Sequence, residues 1–124
     1  MADRRDRLET AALIAAGGFG GANLRYVLAL VLPGPAGTLV ANVLGSFALG
    51  ALTHPDVPGR LLSRRGRLLL ATGLLASFTT YSTFAVATAR SGLPTAAGNV
   101  AATYVLGFAA VVVGRSLVGR VTDE

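Results

Sequence analysis

The chain has 124 residues, 52% of them hydrophobic and only 14% charged, with a mean hydropathy of +0.61. A soluble domain carries about 25% charged residues, so these values exclude a soluble enzyme with a conventional polar surface and equally a disordered tail. Cysteine is absent, which excludes disulfide scaffolds and Cys-based zinc or redox sites.

Apolar runs follow one another along the chain. A helix crossing the bilayer core needs about 20 apolar residues, so four of them nearly fill the sequence and leave only short loops. The first run covers roughly 9–32 and is interrupted by Arg25. Arg4, Arg5 and Arg7 before it resemble the n-region of a signal peptide, but the apolar stretch continues past Asn23 without a small-residue cleavage site. The turn Pro33-Gly34-Pro35 ends it. The second run covers roughly 37–53. It is short enough for a buried core helix, yet the runs after it are long enough to span, and it reads as a span with them. His54-Pro55 through Pro58-Gly59 make the middle loop. The third run, roughly 68–89, and the fourth, roughly 93–114, carry no charge. Arg90-Ser91-Gly92-Leu93-Pro94 separates them. The chain is therefore expected to be one all-α membrane domain, 1–124, with four transmembrane helices. Gly17, Gly18, Gly20 and Gly21 on the first helix, Gly45 and Gly50 on the second, and Gly98, Gly107 and Gly114 on the fourth suit close helix packing in lipid.

All eleven cations are arginine, and the net charge is +5. Nucleic-acid binders set basic residues on a water-facing surface. Here the arginines punctuate apolar runs, as loop charges do in membrane proteins, so no nucleic-acid partner is expected. With four spans, the N-terminus, the middle loop and the C-terminus share one side. Arg4, Arg5, Arg7, Arg60, Arg64, Arg65, Arg67, Arg115 and Arg120 fall there, and only Arg25 and Arg90 fall toward the other. The positive-inside rule places both termini in the cytoplasm of a cell whose inner (plasma) membrane holds the chain.

No Asp, Glu or His lies well inside a run: Glu9 stands at the start of the first and His54 in the middle loop. A proton-coupled exporter of this size needs an ionisable relay within the membrane, so that reading ranks second. There is no Ser-His-Asp set, no metal-ligand cluster and no phosphate-cradling loop, so no enzyme is expected. His54 reads as a solvated loop residue.

The third run carries the chemistry. Ser77, Thr79, Thr80, Tyr81, Ser82 and Thr83 bring hydroxyls to the middle of an apolar span. Hydroxyls can satisfy backbone groups where a transmembrane helix is interrupted, and a broken helix at the midplane is a recurring way to build an ion site. The alternative is a polar stripe that glues helices together.

Thr79-Thr80-Tyr81-Ser82-Thr83-Phe84 resembles the T-T-F-S-T-F signature of the Fluc-type (CrcB) fluoride channels. Gly17-Gly18-Phe19-Gly20-Gly21-Ala22-Asn23-Leu24-Arg25-Tyr26 resembles that family's first-helix pattern, G-G-x-x-G-[AS]-x-x-R-[YW]. Gly37-Thr38-Leu39-Val40-Ala41-Asn42-Val43-Leu44-Gly45-Ser46-Phe47 resembles its second-helix pattern, G-T-L-x-x-N-x-x-G-x-F. Asn99-Val100 with Thr103 and Gly107 resembles the start of its fourth helix. The resemblance implies an antiparallel, dual-topology-type dimer with two fluoride pores and a third helix broken near the midplane. It implies a structural sodium ion at the dimer centre, held here by the backbone carbonyls of Ala76 and Thr79. It implies that Tyr81, Thr83 and Phe84 line the fluoride path, with Asn42 and Thr103 as donors from the second and fourth helices.

Those roles have a physical basis. Fluoride is small and strongly hydrated, and a dry pore must replace its water with donors such as hydroxyls and an Asn amide. Aromatic rings present a positive edge to anions. Carbonyls of a broken helix suit a hard cation, whose charge offsets the cost of desolvating the anion.

The chain departs from the family pattern in three places. Ala76-Ser77 replaces a usual Gly-Gly, Tyr81 a usual Phe, and Gly107 a common Ser. Arg25 matches the family arginine and reads as a structural or interfacial residue that snorkels to the headgroups. The expected function is passive efflux of fluoride that has entered as neutral hydrogen fluoride and ionised in the cytoplasm. A non-conducting partner subunit of a paired channel is a further alternative, motivated by the departures. The arginine imbalance bears on assembly. A homodimer of opposed subunits needs nearly balanced loop charges, so an inverted paralogue is favoured as the second subunit over an identical chain.

Overall fold

The computed structural model describes residues 3–57, 59 and 63–123. Arg60, counted above among the loop cations, and Pro58 of the loop turn lie outside them.

Helix α1 runs Arg4–Val31, and the side chain of its N-cap Asp3 accepts from the Arg4 amide at 2.6 Å. It starts one turn before the apolar run because this cap and charged Arg4-Arg5-Asp6-Arg7 extend it toward water. Gly34, at φ 79, turns the chain, and Pro35 starts α2, Pro35–Leu52. Only glycine adopts that φ without steric cost, and proline suits the first helical turn because its missing N–H has no partner there anyway. The third span is composite. We call residues 64–78 α3: an α-helical turn Arg64–Gly66, a π-helical stretch Arg67–Leu75 and a last turn Ala76–Phe78. Helix α4, Tyr81–Arg90, completes the span, and α5 runs Leu93–Thr122. No strand occurs among the described residues. Four stretches are long and apolar enough to cross a membrane: α1, α2, the combined Arg64–Arg90, and α5.

Glycines decide which helices touch. A methyl at Gly17 would overlap the Leu69 carbonyl, and one at Gly21 the Leu74 carbonyl, so α1 and α3 pack backbone against backbone. Gly50 meets Val111, and Gly114 meets the Phe47 carbonyl, in the same way, which joins α2 to α5. Overpacking at such a site costs about 1–3 kcal/mol, and in lipid close van der Waals contact is a main force between helices. Gly17 and Gly21 follow Leu69 and Leu74 in order, and Gly107 and Gly119 of α5 meet Ser46 of α2 and His54 just after it. Numbers thus rise together over each pair, so both pairs are parallel.

Two polar contacts fix which ends lie together. Arg65 binds Glu9, and Thr122 Oγ1 donates to Asp56 Oδ2 at 3.3 Å. The start of α1, the loop after α2 and the end of α5 thus share one end of the bundle. His54 does not behave as a solvated loop residue. Its side chain is 18% exposed, its Nδ1 accepts from the Asp56 amide at 3.2 Å, and its Nε2 lies against Gly119 of α5. The glycine leaves room for the imidazole, a relation across 65 positions that the sequence alone does not reveal.

Candidate functional site

The break between α3 and α4 is two residues long. Thr79 (φ −79, ψ 158) and Thr80 (φ −152, ψ 127) are extended between helical neighbours. The Thr79 amide keeps its helical bond to the Leu75 carbonyl at 3.0 Å, and both backbone groups of Thr80 find partners outside the regular ladder. Asn42 on α2 closes a two-point clamp: the Thr80 amide donates to Asn42 Oδ1 at 2.8 Å, and Asn42 Nδ2 donates to the Thr80 carbonyl at 3.0 Å. Only one orientation of the amide satisfies both bonds, and it leaves the second Nδ2 hydrogen free. Thr80 Oγ1 caps α4 by accepting from the Thr83 amide at 3.2 Å. Thr79 Oγ1 turns back to the Leu75 carbonyl at 2.9 Å. Gly45, one turn after Asn42, admits the Thr79 methyl against the α2 backbone.

These bonds have a consequence for two carbonyls. In an unbroken helix the Thr80 amide would bond to the Ala76 carbonyl, and the Thr83 amide to the Thr79 carbonyl. Asn42 takes the first donor and Thr80 Oγ1 the second. The Ala76 and Thr79 carbonyls therefore lose their ordinary helical donors. Such oxygens in a membrane interior suit a hard cation. Ala76 has helical dihedrals (φ −64, ψ −30), so its methyl is tolerated.

Beside the break lies a groove of about 480 Å³, lined by α2, α3, α4 and α5. It brings together Asn42, Ala76, Thr79, Tyr81, Phe84 and Thr103, but not Thr83. Thr103 Oγ1 is buried and has no hydrogen-bond partner. Phe84 is 7% exposed and Tyr81 74% exposed. Their ring centroids lie 5.8 Å apart, and Phe84 meets Tyr104 edge to face at 6.2 Å and 84°. Tyr104 continues to Phe108 at 6.2 Å, so four rings form one ladder along the groove. Phe108 and Ser46 line it too. The four-residue spacing of Tyr104 and Phe108 is the signal that places them on one face of α5.

A second cavity of about 240 Å³ lies beyond the break. Arg25, Tyr26, Thr38, Thr80 and Thr83 line it, and Thr80 borders both cavities. Arg25 is half-buried. Among the described residues no carboxylate pairs with it. Its side chain borders the same cavity as the threonines. Asn99 has a different job: its Nδ2 donates to Thr88 Oγ1 at 2.9 Å, which donates to the Phe84 carbonyl at 2.8 Å. That chain ties α5 to α4 at the ladder's central ring.

A family model described as CrcB-like protein, Camphor Resistance (CrcB), matches residues 12–115. The chain is similar to Fluoride-specific ion channel FluC 1 of Haloarcula marismortui, at 49% identity over 90% of this chain and 87% of the relative. It is 53% identical to Fluoride-specific ion channel FluC 2 of Halobacterium salinarum, over 86% of this chain and 84% of that one. A bacterial relative, Fluoride-specific ion channel FluC of Oceanobacillus iheyensis, is 42% identical over 86% of this chain and 85% of its own.

Proposed function

The chain belongs to the CrcB-like protein family, and from that membership we propose that this multi-pass membrane protein is a passive, fluoride-specific ion channel. The observation that carries the reading is the buried, unpartnered Thr103 hydroxyl in a groove shared with Asn42 and the edge-to-face ring Phe84. An unpaired buried hydroxyl costs about 1–3 kcal/mol, a cost relieved when an anion accepts its proton. Fluoride is an acceptor only. The free Asn42 N–H, the Thr103 hydroxyl and the positive ring edges replace its water. Arg25 raises the local anion concentration in the second cavity, where Thr38, Thr80 and Thr83 supply hydroxyls. The groove lining includes no carboxylate or histidine that could serve as a proton relay.

The test is fluoride efflux from liposomes holding the chain. Fluoride is expected to leave down its own gradient, with no matching chloride efflux and no dependence on a proton gradient. Equal fluoride and chloride flux, or flux that requires a proton gradient, refutes the reading.

The Ala76 and Thr79 carbonyls fit a structural sodium ion, whose positive charge would offset anion desolvation nearby. Two subunits in opposite orientation would bring these carbonyls together and close each groove. The arginines at one end of the bundle favour a single orientation with both termini in the cytoplasm, in a plasma membrane, and an inverted paralogue as partner. A reporter fused to the C-terminus is expected to read cytoplasmic in nearly all molecules. Equal populations on the two sides would restore a dimer of identical chains.

A further inference from the structure

Helix α2 has only three polar side chains, Thr38, Asn42 and Ser46. They recur every four residues, so they form one stripe, about 12 Å long, that drifts about 40° per step. Thr38 lines the second cavity, Asn42 clamps the break, and Ser46 lines the main groove. The stripe therefore runs past the break from one cavity to the other.

Ser46 differs from the other hydroxyls of these helices. A serine or threonine in an apolar helix commonly bonds back to the carbonyl four residues earlier. Thr79, Thr88, Ser91 and Thr122 do so here. Ser46 makes no hydrogen bond among the described residues. It faces Gly107 of α5: a Cβ built there would meet Ser46 Oγ at 3.7 Å and no other atom within 4 Å. The hydroxyl holds no helix to its neighbour. It stands in the groove with the unpartnered Thr103 Oγ1.

We infer that Ser46 is a conduction residue, whose hydroxyl donates to the dehydrated anion in the main groove next after Asn42. The inference rests on the fluoride-channel reading. It assigns the step beyond the break to α2, with Thr103 opposite. Gly107 keeps the space between them open.

Fluoride efflux from liposomes tests it with wild type, Ser46→Ala, Ser46→Thr and the double variant S46A/G107S. A hydrogen bond to a charged group is worth about 1.5–3 kcal/mol, so S46A is expected to slow efflux about tenfold or more. S46T keeps the donor and is expected to stay within about threefold of wild type. S46A/G107S returns a hydroxyl from the opposite helix to the same space and is expected to recover most of the lost rate. Wild-type efflux from S46A overturns the inference. So does slow efflux that neither S46T nor S46A/G107S improves, because that pattern belongs to a packing role. A wild-type chain with no fluoride efflux sinks the channel reading itself, and this inference with it, before any variant is compared.

Discussion

Replacing Asn42 with alanine is expected to lower fluoride efflux by about a hundredfold or more while leaving the helices formed. Three losses coincide at this side chain. The clamp holds the Thr80 amide and carbonyl at 2.8 and 3.0 Å. With alanine there, both groups lose their partner in a membrane interior, where no bulk water replaces it. Each costs about 1–3 kcal/mol unless the chain rearranges. The nearest rearrangement returns the Thr80 amide to the Ala76 carbonyl and shortens the break. That would move Tyr81 and Phe84, which follow directly on α4, and would remove an oxygen proposed to hold sodium. The third loss is the free Nδ2 hydrogen, the donor nearest the break on α2. Efflux from liposomes measures the result, with circular dichroism to show that helix content is kept. Asn42→Asp separates the losses. It keeps an acceptor for the Thr80 amide but removes the donor and adds a negative charge, so it is expected to be as inactive as alanine. Wild-type efflux from N42A would show that the break holds without α2 and that the pore does not use this amide.

The four spans were legible because apolar length is a local property. So was the break, because hydroxyls crowd at residues 77–83 where lipid offers the backbone no other partner. The π-helical stretch was not legible. Its amides reach one residue further back, as when Ala76 donates to the Ala71 carbonyl. It forms where Gly73 presses on Gly17 and the Ile14 carbonyl, a contact between helices some 56 positions apart. Asn42 was legible as a polar residue in an apolar helix, but its clamp on Thr80 depends on which helix stands opposite. Ser46 carries a readable signal in its four-residue spacing from Asn42, masked when the run is scored only for apolar length. Arg25 reads from sequence as a snorkelling cation. It also borders the second cavity with Thr80 and Thr83, because α1 packs so closely on α3 that Arg25 reaches the break.

Replacing Phe84 with leucine is expected to reduce fluoride efflux about tenfold or more, with little loss of stability. The ring is 7% exposed and stands between Tyr81 and Tyr104 in the ladder. Leucine fills much of the same space, and hydrophobic swaps of similar volume usually cost less than about 1.5 kcal/mol. What leucine lacks is the ring's quadrupole. A desolvated anion meets positive C–H edges along an aromatic ring and finds no such edge on an aliphatic chain. The orientation of the edge is set from outside the ladder. Asn99 and Thr88 hold the Phe84 carbonyl, so α4 cannot rotate freely against α5. Tyr81→Phe is the matching control. It keeps the edge and removes only the hydroxyl of a ring that is 74% exposed, so efflux is expected to stay within about twofold of wild type. If F84L conducts like wild type while Y81F is slow, fluoride is carried by hydroxyls alone and the ladder serves packing. If F84L is slow and Y81F is not, ring edges work with the α2 stripe, and the anion passes between an aromatic wall and a row of donors.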